Sequence, residues 1–485
     1  MTNLNQSAIS RRLLLGAAMA GVGALACPAL AAPPAPPPYG RAAGALKVRG
    51  KRVEWVSETG ETIMRNAAGV PRVTIFAVSY MARGSSKRRP VTFLWNGGPG
   101  GSTWHLREHL SPRITDTTPA APGYRFVDNE HSIIDVSDLV FIDAPGTGFS
   151  RMGDTSTKPE YWGVEEDGRA FADFIIDWLT RHGRPDAPVY IVGESYGGTR
   201  AGQVARNLAE RKIGLAGITL VAPTLAPLGG DYNWDESYSP AAMIPSMAAV
   251  AHHHGLGAYR ADTADKVVAD AIRYADGPYQ AALDKGKALG GAERDAVAAR
   301  ISDYIGLPAA RIAEANLVLP LEQYATGLLA SRGLLLEVSD GRQTRPAPQP
   351  GETASVLTRD SGFDRTASIE ALIRTELHYP AAGSYARDPM EISRSWNQAT
   401  VREPRTDLIL ADLMRANRAL RVFLVTGYYD LIVPFAPSKA RLEAALPKDR
   451  FTSALYPAGH GVYEDMGLRP RTTADLAAFY KGGHA

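Results

Sequence analysis

The stretch Val189-Tyr190-Ile191-Val192-Gly193-Glu194-Ser195-Tyr196-Gly197-Gly198 allows fewer chain paths than any other part of the sequence. A short run rich in Val and Ile, preceded by Pro188 and closed by glycine, predicts a buried strand of a parallel sheet. The Gly193-x-Ser195-x-Gly197 pattern that ends it predicts an abrupt strand-to-helix reversal, in which residues two before and two after the serine have little room for a Cβ. The pattern occurs once in 485 residues, and its place after a strand marks Ser195 as a nucleophile.

A serine at such a reversal needs a base, and its partners follow in the order serine, acid, histidine. His460 meets that requirement: it follows a strand-like run, 451–456, and the loop residues Pro457-Ala458-Gly459. Residues 422–427 predict another buried strand, and Asp430 comes just after it, on the same edge of the sheet. Glu464 and Asp465 follow the histidine, in the wrong order for a triad, and read as solvated loop charges.

Residues 91–95 predict a strand that ends in Asn96-Gly97-Gly98-Pro99-Gly100-Gly101, a loop whose backbone N–H groups can converge on a phosphate or a reaction oxyanion. No Lys-Ser/Thr follows, which argues against a phosphate loop. The elbow geometry alone assigns one oxyanion N–H to Tyr196. His105-Leu106-Arg107-Glu108-His109 matches an inverted zinc-protease motif, but Ser111-Pro112 closes the segment and no third ligand follows, so no metal is expected. His252-His253-His254 reads as a helix terminus rather than a metal site.

These motifs together resemble the serine carboxypeptidase family of the α/β-hydrolase fold. The residues that carry the resemblance are Trp95 to Gly100, Phe141-Ile142-Asp143-Ala144-Pro145-Gly146-Thr147-Gly148-Phe149-Ser150, Gly193 to Gly198, and Gly459-His460. The resemblance implies a serine-type carboxypeptidase with no cofactor, acting on a peptide with a free C-terminus through Ser195, Asp430 and His460. It also implies that Gly98 joins Tyr196 in the oxyanion hole and that Asn96 and Glu194 bind the substrate's carboxylate. Glu108 is the candidate match for a further glutamate that the family places after the glycine loop, and Asp143 is expected to be structural. Such a clamp needs Glu194 protonated, since two carboxylates in contact cannot both stay charged cheaply, so peptide cleavage is expected to be favoured in acid. The sequence departs from the family in having Gly101 and Ser102-Thr103 after the Gly-Pro-Gly, in lacking the family's disulfides, and in the residues Gly461 to Asp465.

The expected architecture is a mostly parallel central sheet flanked by helices, with a large, mainly helical cap. Its parts are a twin-arginine signal peptide at 1–31, a first hydrolase segment at 32–225, the cap at 226–399 and a second hydrolase segment at 400–485. Arg11-Arg12, an apolar stretch of about 18 residues and Ala29-Leu30-Ala31 predict export to the periplasm or medium rather than membrane anchoring. Lipidation at Cys27, the only cysteine, is the alternative. Removing the segment takes two arginines and no acid from 53 basic and 51 acidic residues, leaving equal numbers and no basic field for nucleic acid or anionic membrane. Residues 33–38 read as a proline-rich linker and 53–81 as antiparallel strands broken at Gly60 and Gly69-Val70-Pro71. Phe171, Phe174, Ile175, Trp178 and Leu179 form one apolar stripe of a helix over 164–181. Asp430 stands 235 positions after Ser195, more than one or two β-α units need, so the excess is the cap: helical over 261–319, a polar loop over 341–350, with aromatic residues at 231–238. The same triad also suits an esterase or acyltransferase, an aminopeptidase-like hydrolase, or an exported binding protein with a dead site. Side-chain preference and oligomeric state are not encoded in these motifs.

Overall fold

A computed structural model of the protein describes residues 39–116, 124–154, 156–227, 239–348 and 365–482. The expected signal peptide at 1–31, the expected linker at 33–38 and the aromatic run at 231–238 lie outside the described residues. Nine strands make the main sheet: β1 (Tyr39–Val48), β2 (Lys51–Arg65), β3 (Pro71–Ala82), β4 (Val91–Trp95), β5 (Asp138–Ile142), β6 (Val189–Glu194), β7 (Leu215–Val221), β8 (Arg421–Gly427) and β9 (Phe451–Tyr456). Their order is β1-β2-β3-β5-β4-β6-β7-β8-β9, with the short pair Arg151–Met152 added on β3. β1, β2, β3 and β5 pair antiparallel, and every pairing from β5 to β9 is parallel. Ser195, Asp430 and His460 follow β6, β8 and β9, so all three leave the carboxyl edge of the sheet, where open α/β sheets hold their ligands.

The central strands are apolar on both faces because helices cover both. On one face Phe93, Trp95 and Ile191 pack with Phe171, Phe174, Ile175 and Trp178 of α2 (Val164–Arg181) and with Val204 and Leu208 of α3 (Gly197–Glu210). On the other, Leu94, Val192, Phe423 and Val425 meet Leu476 and Phe479 of the helix Arg469–Tyr480. Each such fully buried side chain contributes about 1.5–3 kcal/mol.

Two local expectations fail. β2 runs straight through Gly60, which pairs with both Tyr39 and Ala77, because ladder hydrogen bonds on either side hold the strand without a side chain. Within 341–350, Thr344–Pro346 pairs antiparallel with Leu334–Leu336, a register that long-range contact rather than local polarity decides.

The segment between β7 and β8 covers the core in two places. Helices from Ile244–His253 to Leu321–Gly327 bury Met247, Ala271, Tyr279, Ile305 and Tyr324 together with Tyr428, Tyr429, Leu431 and Phe435 beside Asp430. His252 and His253 end the first of these helices, as their position predicted. Arg365–Ala371 and the turn after it bury Ile369, Leu372 and Ile373 with Phe76 and Phe149.

Candidate active site

The elbow is built by exclusion. A Cβ at Gly193 would lie 2.1 Å from the Gly197 carbonyl oxygen, and one at Gly197 would lie 2.9 Å from Trp95 Cδ1. Ser195 itself takes φ 61°, a left-handed conformation that costs about 1–3 kcal/mol in a non-glycine residue. It is held there by its N–H to Val221 O (2.9 Å) and by its carbonyl, which accepts from Gly198 N (2.8 Å) and Thr224 N (3.1 Å).

Asp430 is fully buried. Its Oδ1 accepts from the N–H groups of Ile432 and Val433, each at 2.9 Å, and its Oδ2 lies 2.7 Å from His460 Nδ1. Burial favours the neutral imidazole, but the adjacent Asp430 charge outweighs it and raises the His460 pKa above the ordinary value. A strap from the insertion clamps both loops. Val338 O accepts from Leu431 N (3.0 Å), Ser339 O from His460 N (2.6 Å), and Tyr429 O from Gly341 N (2.9 Å). Arg342 donates to Pro457 O (2.9 Å), pairs with Asp340 (2.7 Å) and Asp465 (3.1 Å), and lies over the Tyr429 ring.

The glycine loop abuts the nucleophile. A Cβ at Gly97 would come within 2.4 Å of Tyr196 N and 2.9 Å of Ser195 Cβ. Among the described residues neither the Gly98 nor the Tyr196 N–H has a hydrogen-bond acceptor, which leaves both donors for a developing oxyanion. Beside them, Asn96 Nδ2 donates to Glu194 Oε1 (2.9 Å), and Asn96 Oδ1 accepts from Leu106 N (3.2 Å), which fixes the amide's orientation. Both side chains are buried.

A family model described as "Serine carboxypeptidase" matches residues 70–247, the stretch that holds the elbow, the glycine loop, Asn96 and Glu194. Over this stretch the chain matches the serine carboxypeptidase family. Among its relatives, a carboxypeptidase Y homolog of Arthroderma benhamiae is 26% identical over 176 residues, 35% of this chain and 34% of that protein. The pheromone-processing carboxypeptidase kex1 of Aspergillus niger is 29% identical over 192 residues, 38% of this chain and 28% of that protein. The chain thus matches about a third of the length of these curated relatives. The crystal structure of Kex1(delta)p, a prohormone-processing carboxypeptidase from Saccharomyces cerevisiae, superposes with a TM-score of 0.57 at 14% identity, over 88% of this chain and 91% of that one, so the α/β-hydrolase fold is shared.

The neighbour of Glu194 is not the residue that the family resemblance suggested. Glu108 Oε2 accepts from Thr115 N (3.4 Å) and does not touch Glu194. The partner is His105, on α1 (Trp104–Leu110), whose Nδ1 lies 2.9 Å from Glu194 Oε1 and 3.0 Å from Oε2, with Nε2 3.4 Å from Glu464 Oε2. His105 stands one turn before Glu108 on the same face of the helix, and it is this earlier turn that reaches Glu194. A Cβ at Gly461 would lie 2.7 Å from the His105 ring, so this ring touches the neighbours of both Ser195 and His460. Glu464 is therefore part of the site and not a solvated loop charge.

His105, His109 and Glu464 present ligand atoms within 4.8 Å of one another, the third ligand that the sequence did not reveal. The donor set nonetheless suits a metal poorly. Arg469 Nη2 lies 3.0 Å from His109 Nδ1, and a guanidinium can only donate there, which places the His109 proton on Nε2 and removes both lone pairs. Burial, then the charges of His105 and Arg469, push His109 well below its ordinary pKa.

Arg200 is a further residue that motif reading missed. Fully buried on α3, it donates to Asn96 O, pairs with Asp167 (2.6 Å) and lies over the Tyr196 ring. Asp143 is structural, accepting from Thr103 N (2.8 Å) and Tyr385 OH (3.0 Å).

Proposed function

We propose that this chain is a serine-type carboxypeptidase that removes C-terminal residues from peptides through an acyl-enzyme on Ser195. The observation that carries the reading is the buried Asn96–Glu194 hydrogen bond immediately beside the nucleophile. An amide with a second N–H and an acid, closed off from solvent, form a polar stop that suits a chain end and not a continuing backbone.

With Nδ1–H held by Asp430, the His460 Nε2 lone pair takes the Ser195 proton as Oγ attacks the scissile carbonyl. The N–H groups of Gly98 and Tyr196 receive the negative oxygen, His460 returns the proton to the leaving amine, and water repeats the sequence on the acyl-enzyme. The relatives' names, carboxypeptidase in each case, agree with this chemistry. A mass-spectrometric time course on an unblocked peptide mixture tests it. Sequential loss from the C-terminus is expected, and loss from the N-terminus, or turnover of esters alone, overturns it.

We also propose export by a twin-arginine signal, supported by Arg11-Arg12, the apolar stretch and Ala29-Leu30-Ala31. Intact-mass measurement of the secreted or periplasmic protein should give a mature chain beginning at Ala32; retention of residues 1–31 overturns this.

A further inference from the structure

The cluster around His105 has no counterpart in the clamp expected from the sequence. Two carboxylates in contact must share a proton, and such a pair binds a third carboxylate only when acid supplies more protons. Here a ring nitrogen occupies the place of the second acid. Both His105 nitrogens face carboxylate oxygens, Nδ1 towards Glu194 and Nε2 towards Glu464. An imidazole satisfies two ionised acceptors on opposite sides only as the cation.

We propose that His105 is a specificity-determining residue: its imidazolium, set between Glu194 and Glu464, supplies the positive charge that lets a peptide's terminal carboxylate bind beside Asn96 and Glu194 at neutral pH. This rests on the carboxypeptidase reading and adds to it the source of the charge. Glu464 marks where the incoming group acts. Its contact to His105 is long at 3.4 Å, its side chain is 22% exposed while that of Glu194 is 5% exposed, and it lines a cavity of about 150 Å³ with Gly461 and Asp340. In the substrate-free protein a carboxylate thus already sits at His105 Nε2, offsetting the charge that a substrate carboxylate would use.

Every charged neighbour of the ring bears on this. Glu194 comes from β6, Glu464 from the His460 loop, and Asp388 from the segment after Tyr385; His109 stacks edge-on at 4.6 Å, and His460 adds a weak repulsion. Arg365 pairs with Glu464 Oε1 (3.4 Å), Arg469 donates to the Glu464 backbone carbonyl (3.2 Å), and Arg387 lies over the adjoining Trp104 ring. Burial disfavours the charged ring, but Glu194 and then Glu464 outweigh it and push the His105 pKa up to about 10. The proton is therefore held throughout the neutral range and lost only as pH rises through about 10. The acid preference expected from a protonated Glu194 gives way to peptide cleavage that persists at neutral pH.

The experiment compares KM for a free-acid peptide and for its C-terminally blocked ester in the wild type, H105Q and E464Q, with fluorophosphonate labelling as the check on folding. H105Q is expected to raise KM for the free-acid peptide about tenfold relative to that for the ester. E464Q, which removes the competing carboxylate, is expected to lower it about two- to fivefold. A merely structural pair would give damage of the same sign in both. Equal changes for peptide and ester in H105Q, or a raised peptide KM in E464Q, overturn the proposal; if H105Q is not labelled, the sign of the E464Q effect decides alone. A wild type that releases no C-terminal residue overturns the carboxypeptidase reading instead, and is recognised before any variant is made. As a further readout, H105E should shift the peptide's pH profile to lower pH relative to the ester's.

Discussion

The backbone N–H of His460 donates to the carbonyl of Ser339 at 2.6 Å, so the His460 loop hangs on a residue of the insertion as well as on its own strand. The same strap accepts from Leu431 N and donates to Tyr429 O, one residue to either side of Asp430. The insertion thereby braces the loops that carry Asp430 and His460 as well as covering the core.

Arg342 locks that strap to the His460 loop through Pro457 O and Asp465. R342A should lower kcat about tenfold to hundredfold with little change in KM, because small displacements of a base cost rate and not ground-state binding. R342K, which keeps the charge opposite Asp465, should recover part of the loss. Steady-state kinetics on one ester substrate checks both.

His460 must be neutral to accept the serine proton, and Asp430 raises its pKa above 6.5. Activity on a blocked ester should therefore fall as pH drops through a midpoint higher than that of an ordinary histidine. D430N removes the cause: kcat should drop about 10⁴-fold, as it does when this acid is neutralised in other triads, and the midpoint should move to lower pH. A pH–rate profile of each protein measures it.

Ala at Gly193 would put a Cβ 2.1 Å from the Gly197 carbonyl oxygen, backbone that cannot move without opening the elbow. G193A should lose fluorophosphonate labelling altogether. G290A, at a position where a Cβ meets nothing within 4 Å, should label like the wild type.

Arg200 and Asp167 form a pair whose side chains are 0% and 1% exposed. R200A leaves the acid uncompensated and should cost about 3–5 kcal/mol in urea unfolding. It should also raise the KM of peptides, since Asn96 O loses its donor.

Much of the frame was legible along the chain. Strands β4, β6, β8 and β9 follow from apolar runs closed by Gly or Pro, and α2 from its five-residue stripe, because local period decides which face is buried. Ser195, Asp430 and His460 follow from the order that a strand-edge triad imposes. The course of β2 through Gly60 and the pairing of Thr344–Pro346 with Leu334–Leu336 were not legible, since both depend on partners distant in sequence. The role of Glu464 was hidden for the same reason: its partner His105 is 359 positions away.

The sequence by itself determined the elbow at Ser195, the places of Asp430 and His460 at strand ends, the glycine loop and the layered sheet that carries them, because each is written in a run of neighbouring residues whose spacing matches one backbone geometry. Only the tertiary structure decided what surrounds Glu194 and what holds His460. The placement of α1 along its axis brings the turn with His105, and not the one with Glu108, against Glu194, and the path of the insertion sets Ser339 and Arg342 against the His460 loop. Both outcomes arise from packing between segments hundreds of residues apart, where no local pattern carries the information.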